Sequence, residues 1–196
     1  RNCDWSSDVC SSDLKLLGLF APGDMDFEID RDPERQPSTA EMAAAALKTL
    51  SQNSPRGFVL LIENENIDTA GHANDAASLM RALWAFDDAV KVALDFQSRS
   101  PDTLLIVASD HETGGFSPTY ALKGPGPFSR HNLLLPGAQE VRMLARNAAS
   151  FSRARETLGQ MHSARALDDI IARFFPGFRL DRKSTRLNSS HSSVSR

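Results

Sequence analysis

Two short stretches of this sequence pair carboxylates with imidazoles at spacings that suit a divalent cation. In the first, Glu63 is followed by Asp68 and, four residues later, by His72; in the second, Asp110 and His111 are adjacent and Glu112 follows. Imidazole nitrogen and carboxylate oxygen together form a donor set that zinc accepts in a tetrahedral site. Each piece taken singly has a plainer reading. Asp68 and His72 would share a helical face and could be an exposed pair or a helix cap. Asp110-His111 is a common dipeptide, Glu63 could be a paired carboxylate at a strand end, and Glu65 and Glu112 read as loop charges. His131 in a Gly/Pro-rich loop and His162 at a helix boundary read as surface residues. The two clusters gain meaning only if the fold brings them to one edge.

The surrounding pattern gives that expectation. Phe58-Val59-Leu60-Leu61-Ile62 and Thr103-Leu104-Leu105-Ile106-Val107-Ala108 are short, almost wholly apolar runs, as strands covered on both faces should be. Between them, Ala76, Leu79, Met80, Leu83, Phe86, Val90 and Leu94 recur at three- and four-residue steps, which predicts one long helix from about Ala70 to Gln97. Asp87, Asp88, Lys91 and Asp95 read as its solvated face. Strand, helix, strand is a βαβ unit with parallel strands, and open α/β sheets bind ligands at the C-terminal ends of their strands. Glu63 and the Asp110-His111 pair stand at those ends.

Upstream, Lys15-Leu16-Leu17-Gly18-Leu19-Phe20 reads as another buried strand, stopped by Pro22-Gly23. Ser38 three residues before Glu41 is a capping-box signal for an alanine-rich helix to about Leu50. Downstream of Gly115 the pattern is irregular through Gly124-Pro125-Gly126-Pro127, with no clear strand after Ala108. Helices are predicted near Glu140 to Arg146 and from Ser163 to Phe175, the latter with Leu167, Ile170, Ile171 and Phe174 on one stripe. Residues 119–181 are expected to form a helical region inserted beside the sheet.

Composition excludes several partners. The chain has 196 residues, 41% hydrophobic and 24% charged, within the ordinary globular range. With 22 basic and 25 acidic residues and a net charge of −3, it carries no electrostatic footprint for nucleic acid. No apolar run approaches the ~20 residues that cross a bilayer. Residues 1–14, with Cys3 and Cys10, and 182–196, with His191, are rich in Ser, Asp, Asn and Arg and lack periodicity. Both ends resemble translated sequencing-adapter artefacts and are expected to be foreign to a core spanning 15–181. Natural disordered tails are the alternative.

The stretch from Gly57 through Ile62-Glu63-Asn64-Glu65-Asn66-Ile67-Asp68-Thr69-Ala70-Gly71-His72 to Ala76 resembles the alkaline phosphatase family, in which a Glu is followed by an Asp and then a His at these spacings. Asp87-Asp88-Ala89-Val90 and Ser109-Asp110-His111-Glu112-Thr113-Gly114-Gly115 are similar to that family's next helix and second metal motif. The resemblance runs from about Lys15 to Asp181 and weakens after Pro118. It departs from the family at Asn64-Glu65-Asn66, which adds a carboxylate, Glu65, near the site.

The resemblance implies an α/β, three-layer fold with a mostly parallel central sheet, and two zinc ions with one magnesium as cofactors. Glu63 would bind the magnesium, Asp68 and His72 one zinc, and Asp110 and His111 the other. The implied activity is hydrolysis of phosphate monoesters through a phosphoserine, with the nucleophilic Ser, a phosphate-binding Arg and a shared Asp expected upstream of Lys15 and a further zinc His downstream of Asp181. On that expectation the chain is an internal fragment, inactive alone and poorly soluble because of an uncovered sheet edge. The family also implies a periplasmic, secreted or surface-attached location and a possible homodimer. A phosphodiesterase or sulfatase of the same superfamily, or a non-catalytic metal-binding module, are the competing readings.

Overall fold

A computed structural model of the chain describes residues 16–113, 121–122, 133–134, 138–159 and 163–178. The terminal stretches expected to be foreign, and with them Cys3, Cys10 and His191, lie outside the described residues, as do Gly114, Gly115, His131 and His162. The elements are α1 (Thr39–Asn53), α2 (Asn66–His72), α3 (Ala76–Arg99), β1 (Ala121–Leu122), β2 (Leu133–Leu134), α4 (Ala138–Leu144), α5 (Phe151–Leu158) and α6 (Ala164–Phe174). Two compact units divide the chain. One comprises Arg31–Asn64, Trp84–Ala108 and the segment ending at Met25; the other comprises Asp26–Asp30, Glu65–Leu83 and the chain from Ser109. No described helix is long and apolar enough to cross a membrane.

In the first unit α1 begins as its sequence predicts. Ser38 Oγ accepts the Glu41 N–H at 3.2 Å, and the Glu41 carboxylate accepts the Ser38 N–H at 2.7 Å and its hydroxyl at 2.9 Å. This reciprocal capping box satisfies donors that the first turn of a helix leaves open. Ala43 and Leu47, one turn apart, are its buried positions. The same contacts hold the Glu41 carboxyl below its ordinary value of 4.5, chiefly through the Ser38 N–H, then its hydroxyl, with a smaller contribution from Arg31.

The runs 58–62 and 103–108 depart from their expected form. Both lack a ladder partner among the described residues, where the two-stranded antiparallel pair of β1 with β2 is the only sheet. They are extended and covered on one face only. Phe58, Leu60 and Ile62 are half-buried, with Phe58 tilted against Phe96 of α3 at 6.1 Å, while Val59 and Leu61 between them are 97% and 86% exposed. Leu104 and Ile106 repeat this at 82% and 75%. Leu17 and Leu19, in the run expected to be a buried strand, are exposed as well. The uniform apolarity predicted cover on both sides; the alternation shows cover on one.

The predicted long helix is two helices. Asn74, at φ 52°, adopts the left-handed conformation that Asn tolerates better than most residues. Its N–H reaches Gly71 O at 3.0 Å and the Asp75 N–H reaches Ala70 O at 2.9 Å, the pair of bonds that closes a Schellman motif at the end of α2. Asp75 then caps α3: its Oδ1 accepts the Ser78 N–H at 3.1 Å and its Oδ2 the Ser78 hydroxyl at 2.9 Å. The most buried stripe of α3 also differs from the predicted one. Ala82, Ala85, Ala89 and Ala93 are buried, whereas Leu83 and Leu94 are about half exposed. Small side chains let neighbouring backbone approach on the alanine face, and sequence hydrophobicity alone ranks leucine above alanine. Asp87, Asp88, Lys91 and Asp95 are exposed as predicted, Lys91 pairing with Asp95 at 2.8 Å.

In the second unit α4 and α6 fall where the sequence places them, and the short β1–β2 pair and α5 are additions to the sequence reading. Ser150 Oγ caps α5 by accepting the Arg153 N–H at 2.9 Å. Ala149, Ala154, Ile170 and Phe174 form the core, with Leu158 and Phe175 packed against it. Asp75, 1% exposed, ties this core to the start of α3, because its Oδ2 also accepts the Phe151 N–H at 2.7 Å. Asp30 Oδ1 accepts the neighbouring Ser150 N–H at 3.1 Å.

Two outcomes follow. Ser38→Ala should lower the stability of α1 by about 1 kcal/mol, read by denaturant titration. A lowered folded pKa means that the Glu41 contribution is complete above 4.5 and is lost as pH falls through the lowered value; Ser38→Ala keeps the backbone N–H and removes only the hydroxyl's share, so its difference from wild type should shrink slightly on acidification below 4.5. Asp75→Ala removes a cap and leaves the part-buried Phe151 N–H without its acceptor, and should cost about 2 kcal/mol. Faster hydrogen exchange at the Ser78 and Phe151 amides is the expected sign.

Candidate metal centre

Asp68 sits in the first turn of α2 and His72 in its last, so the four-residue spacing stacks them on one helical face. His72 Nε2 lies 3.4 Å from Asp68 Oδ2. Ala70, two residues from each and so on the opposite face of the helix, is fully buried. The second pair lies just beyond the extended run, where His111 Nε2 is 3.3 Å from Asp110 Oδ2. Asp110 is held by its own loop, since its Oδ1 accepts the His111 N–H at 2.9 Å.

The two pairs meet. His111 Nδ1 is 3.8 Å from Asp68 Oδ1, and the Thr113 hydroxyl bridges the gap, hydrogen-bonded to Asp68 Oδ1 and 2.8 Å from His111 Nδ1. Each carboxylate therefore uses Oδ1 for a hydrogen bond within the protein and turns Oδ2 toward an imidazole Nε2. Of these sequence-predicted residues the structure brings together Asp68, His72, Asp110 and His111. Glu63 is exposed in the other unit, at the end of the extended run. Glu112 is exposed, and the additional carboxylate of Glu65 is hydrogen-bonded to the Thr69 hydroxyl one turn along α2.

Among the described residues no group of three or more His, Cys, Asp or Glu side chains is arranged to hold one ion; the donors come as two pairs. Within each pair the separation fits a shared zinc. Two ligands at bonds of about 2.0–2.1 Å and tetrahedral angles stand roughly 3.3 Å apart, against 3.4 and 3.3 Å here. The pairs are also open, His72 and Asp110 being largely exposed, so a further ligand or a substrate oxygen has access. Thr113 is the residue that sequence reasoning missed. Its signal is a hydroxyl-bearing, β-branched residue two positions after His111.

Comparison with known proteins identifies the family of the chain. The family model for alkaline phosphatase matches residues 6–161. The repressible alkaline phosphatase of Saccharomyces cerevisiae is 46% identical over 108 residues, which are 52% of this chain and 19% of that protein. Alkaline phosphatase 4 of Bacillus subtilis is 39% identical over 107 residues, 55% of this chain and 23% of that one. The crystal structure of Thermus thermophilus alkaline phosphatase superposes with a TM-score of 0.70 at 35% identity, covering 88% of this chain and 34% of that chain. The chain thus spans about a fifth of the length of the curated relatives it matches, and its fold is alkaline-phosphatase-like. It belongs to the alkaline phosphatase family.

Proposed function

We propose that this chain is part of a metal-dependent phosphomonoesterase, to which it contributes two imidazole–carboxylate pairs of a two-metal phosphate site. The observation that carries the reading is the matched geometry of those pairs: Nε2 to Oδ2 at 3.4 Å in Asp68 and His72, 3.3 Å in Asp110 and His111. Asp68 and His72 would hold one zinc and Asp110 and His111 the second. The assignment of Glu63 to magnesium rests on the family resemblance alone. Bound there, the cations would neutralise charge on the phosphoryl oxygens and lower the pKa of an attacking hydroxyl.

The residues of this chain prepare that site by orientation. Helix α2 fixes the rise between Asp68 and His72, and the His111 N–H holds Asp110 so that one carboxylate oxygen stays free. The exposure of both pairs leaves room for a phosphate monoester. The family resemblance assigns the nucleophilic serine, the phosphate-gripping arginine, a shared aspartate and another zinc histidine to other parts of a longer chain. It also supports a mostly parallel central sheet in which the runs 58–62 and 103–108 are neighbours, a periplasmic, secreted or surface-attached location, and pairing into a homodimer.

Two donors per zinc, counted among the described residues, are fewer than the three or four of a stable site. The isolated chain should therefore bind zinc with a Kd above about 1 µM, weaker than about −8 kcal/mol, and should hydrolyse no p-nitrophenyl phosphate. Nanomolar binding by calorimetry, or turnover abolished by a chelator, would show that this chain completes a site by itself. In the enzyme encoded by the whole gene, Asp110→Asn should lower kcat/KM for the same ester by more than the about 10- to 100-fold that outer partners of a metal site typically cost. An unchanged kcat/KM would remove Asp110 from the metal centre.

A further inference from the structure

Thr113 stands at φ 46°. A positive φ in a β-branched residue is a true conformational outlier, and such strain persists where surrounding contacts over-determine it. Those contacts are visible. Thr113 lies against Gly71 of α2, where an added Cβ would come within 3.4 Å of the Thr113 Cβ, Cγ2 and O. Its hydroxyl falls between Asp68 Oδ1 and His111 Nδ1. Glycine or asparagine would fit this backbone with less strain, but neither would supply a hydroxyl.

A hydroxyl has one proton to give. An ionised carboxylate can only accept, so Thr113 donates to Asp68. Toward His111 it must then accept, which requires the proton of the neutral imidazole to be on Nδ1. His111 Nε2 then turns its lone pair toward Asp110 Oδ2, 3.3 Å away, where two acceptors face each other and a cation between them would relieve the repulsion. We infer that Thr113 is a positioning residue that joins the two donor pairs: it orients the Asp68 carboxylate and sets the His111 tautomer so that Nε2 is the metal-facing atom. This rests on the assignment of Asp68 and His111 as ligands, and it adds that one side chain outside the ligand set prepares both. Second partners of this kind commonly fix ring orientation and tautomer in metal sites.

The test compares Thr113→Val, which keeps the shape and the strain but loses the hydroxyl, with Thr113→Ser, which keeps the hydroxyl, and Thr113→Gly, which relieves the backbone. Long-range 1H–15N NMR of the metal-free chain should show His111 protonated on Nδ1 in the wild type and in Thr113→Ser. In Thr113→Val it should move toward the Nε2-protonated form that a free imidazole prefers. Zinc affinity, followed on the same imidazole signals, should fall about 10- to 100-fold in Thr113→Val and Thr113→Gly and recover in Thr113→Ser. Thr113→Gly should raise the Tm while it lowers zinc affinity, whereas a merely structural role would move both the same way. A wild-type His111 protonated on Nε2, or a Thr113→Val chain with unchanged tautomer and zinc affinity, overturns the inference. If zinc leaves the wild-type His72 and His111 signals unmoved, the two-metal reading fails instead, and the tautomer comparison still decides the role of Thr113.

Discussion

The Asp68 carboxylate serves two directions at once, and the arrangement of the second unit follows from that. Oδ2 faces His72 along its own helix, while Oδ1 faces Thr113 and, through it, His111. The first direction needs a helical turn between residues 68 and 72. The second needs the loop after Ser109 to come close against that helix. Glycine at position 71 leaves just enough room for the loop, and the left-handed turn at Thr113 aims the hydroxyl. A longer side chain on α2 or a regular backbone at 113 would separate the two pairs.

Helix α2 can present its donors in this way because it stops after them. The Schellman motif at Asn74 ends it immediately after His72, leaving that imidazole at a helix terminus and largely exposed. Asp75 makes the stop durable. It is buried, caps α3 through Ser78, and accepts the first N–H of α5. With three hydrogen bonds its charge is well satisfied, as a buried carboxylate must be. The chain thus sets a buried carboxylate three residues from His72: Asp75 holds the scaffold, and Asp68 is left half-exposed.

The sequence made the two Asp–His pairings legible, and the reason is local. Four-residue spacing on a helix and adjacency in a loop fix Asp68 with His72 and Asp110 with His111 whatever else the fold does. The capping box of α1 and the apolar stripe of α6 were legible for the same reason, and Leu167, Ile170, Ile171 and Phe174 are half-buried or buried as their pattern requires. The break at residues 73–75 was hidden because Ala73, Asn74 and Asp75 interrupt an apolar pattern that continues on either side. Its local signal was Asn74 followed by Asp75 three residues before Ser78. The alanine stripe of α3 and the hydroxyl bridge of Thr113 depend on which backbone comes near, and residue type alone does not carry that.

The extended runs of the first unit show what their sequence was suited to. An apolar residue at nearly every position belongs to a strand covered on both faces, yet in 58–62 and 103–107, Val59, Leu61, Leu104, Ile106 and Val107 are exposed. The inner residues have their partner, as Phe58 has Phe96; the outer ones have composition without cover. A polar alternation would have been equally compatible with one-sided packing, so the apolar outer positions require a separate physical cause. Packing against α3 accounts for the inner positions only, and the apolarity of Val59, Leu61, Leu104 and Ile106 is what it leaves over. Runs of this composition suit burial on two faces, and Glu63 and the Asp110-His111 pair follow them closely in the sequence.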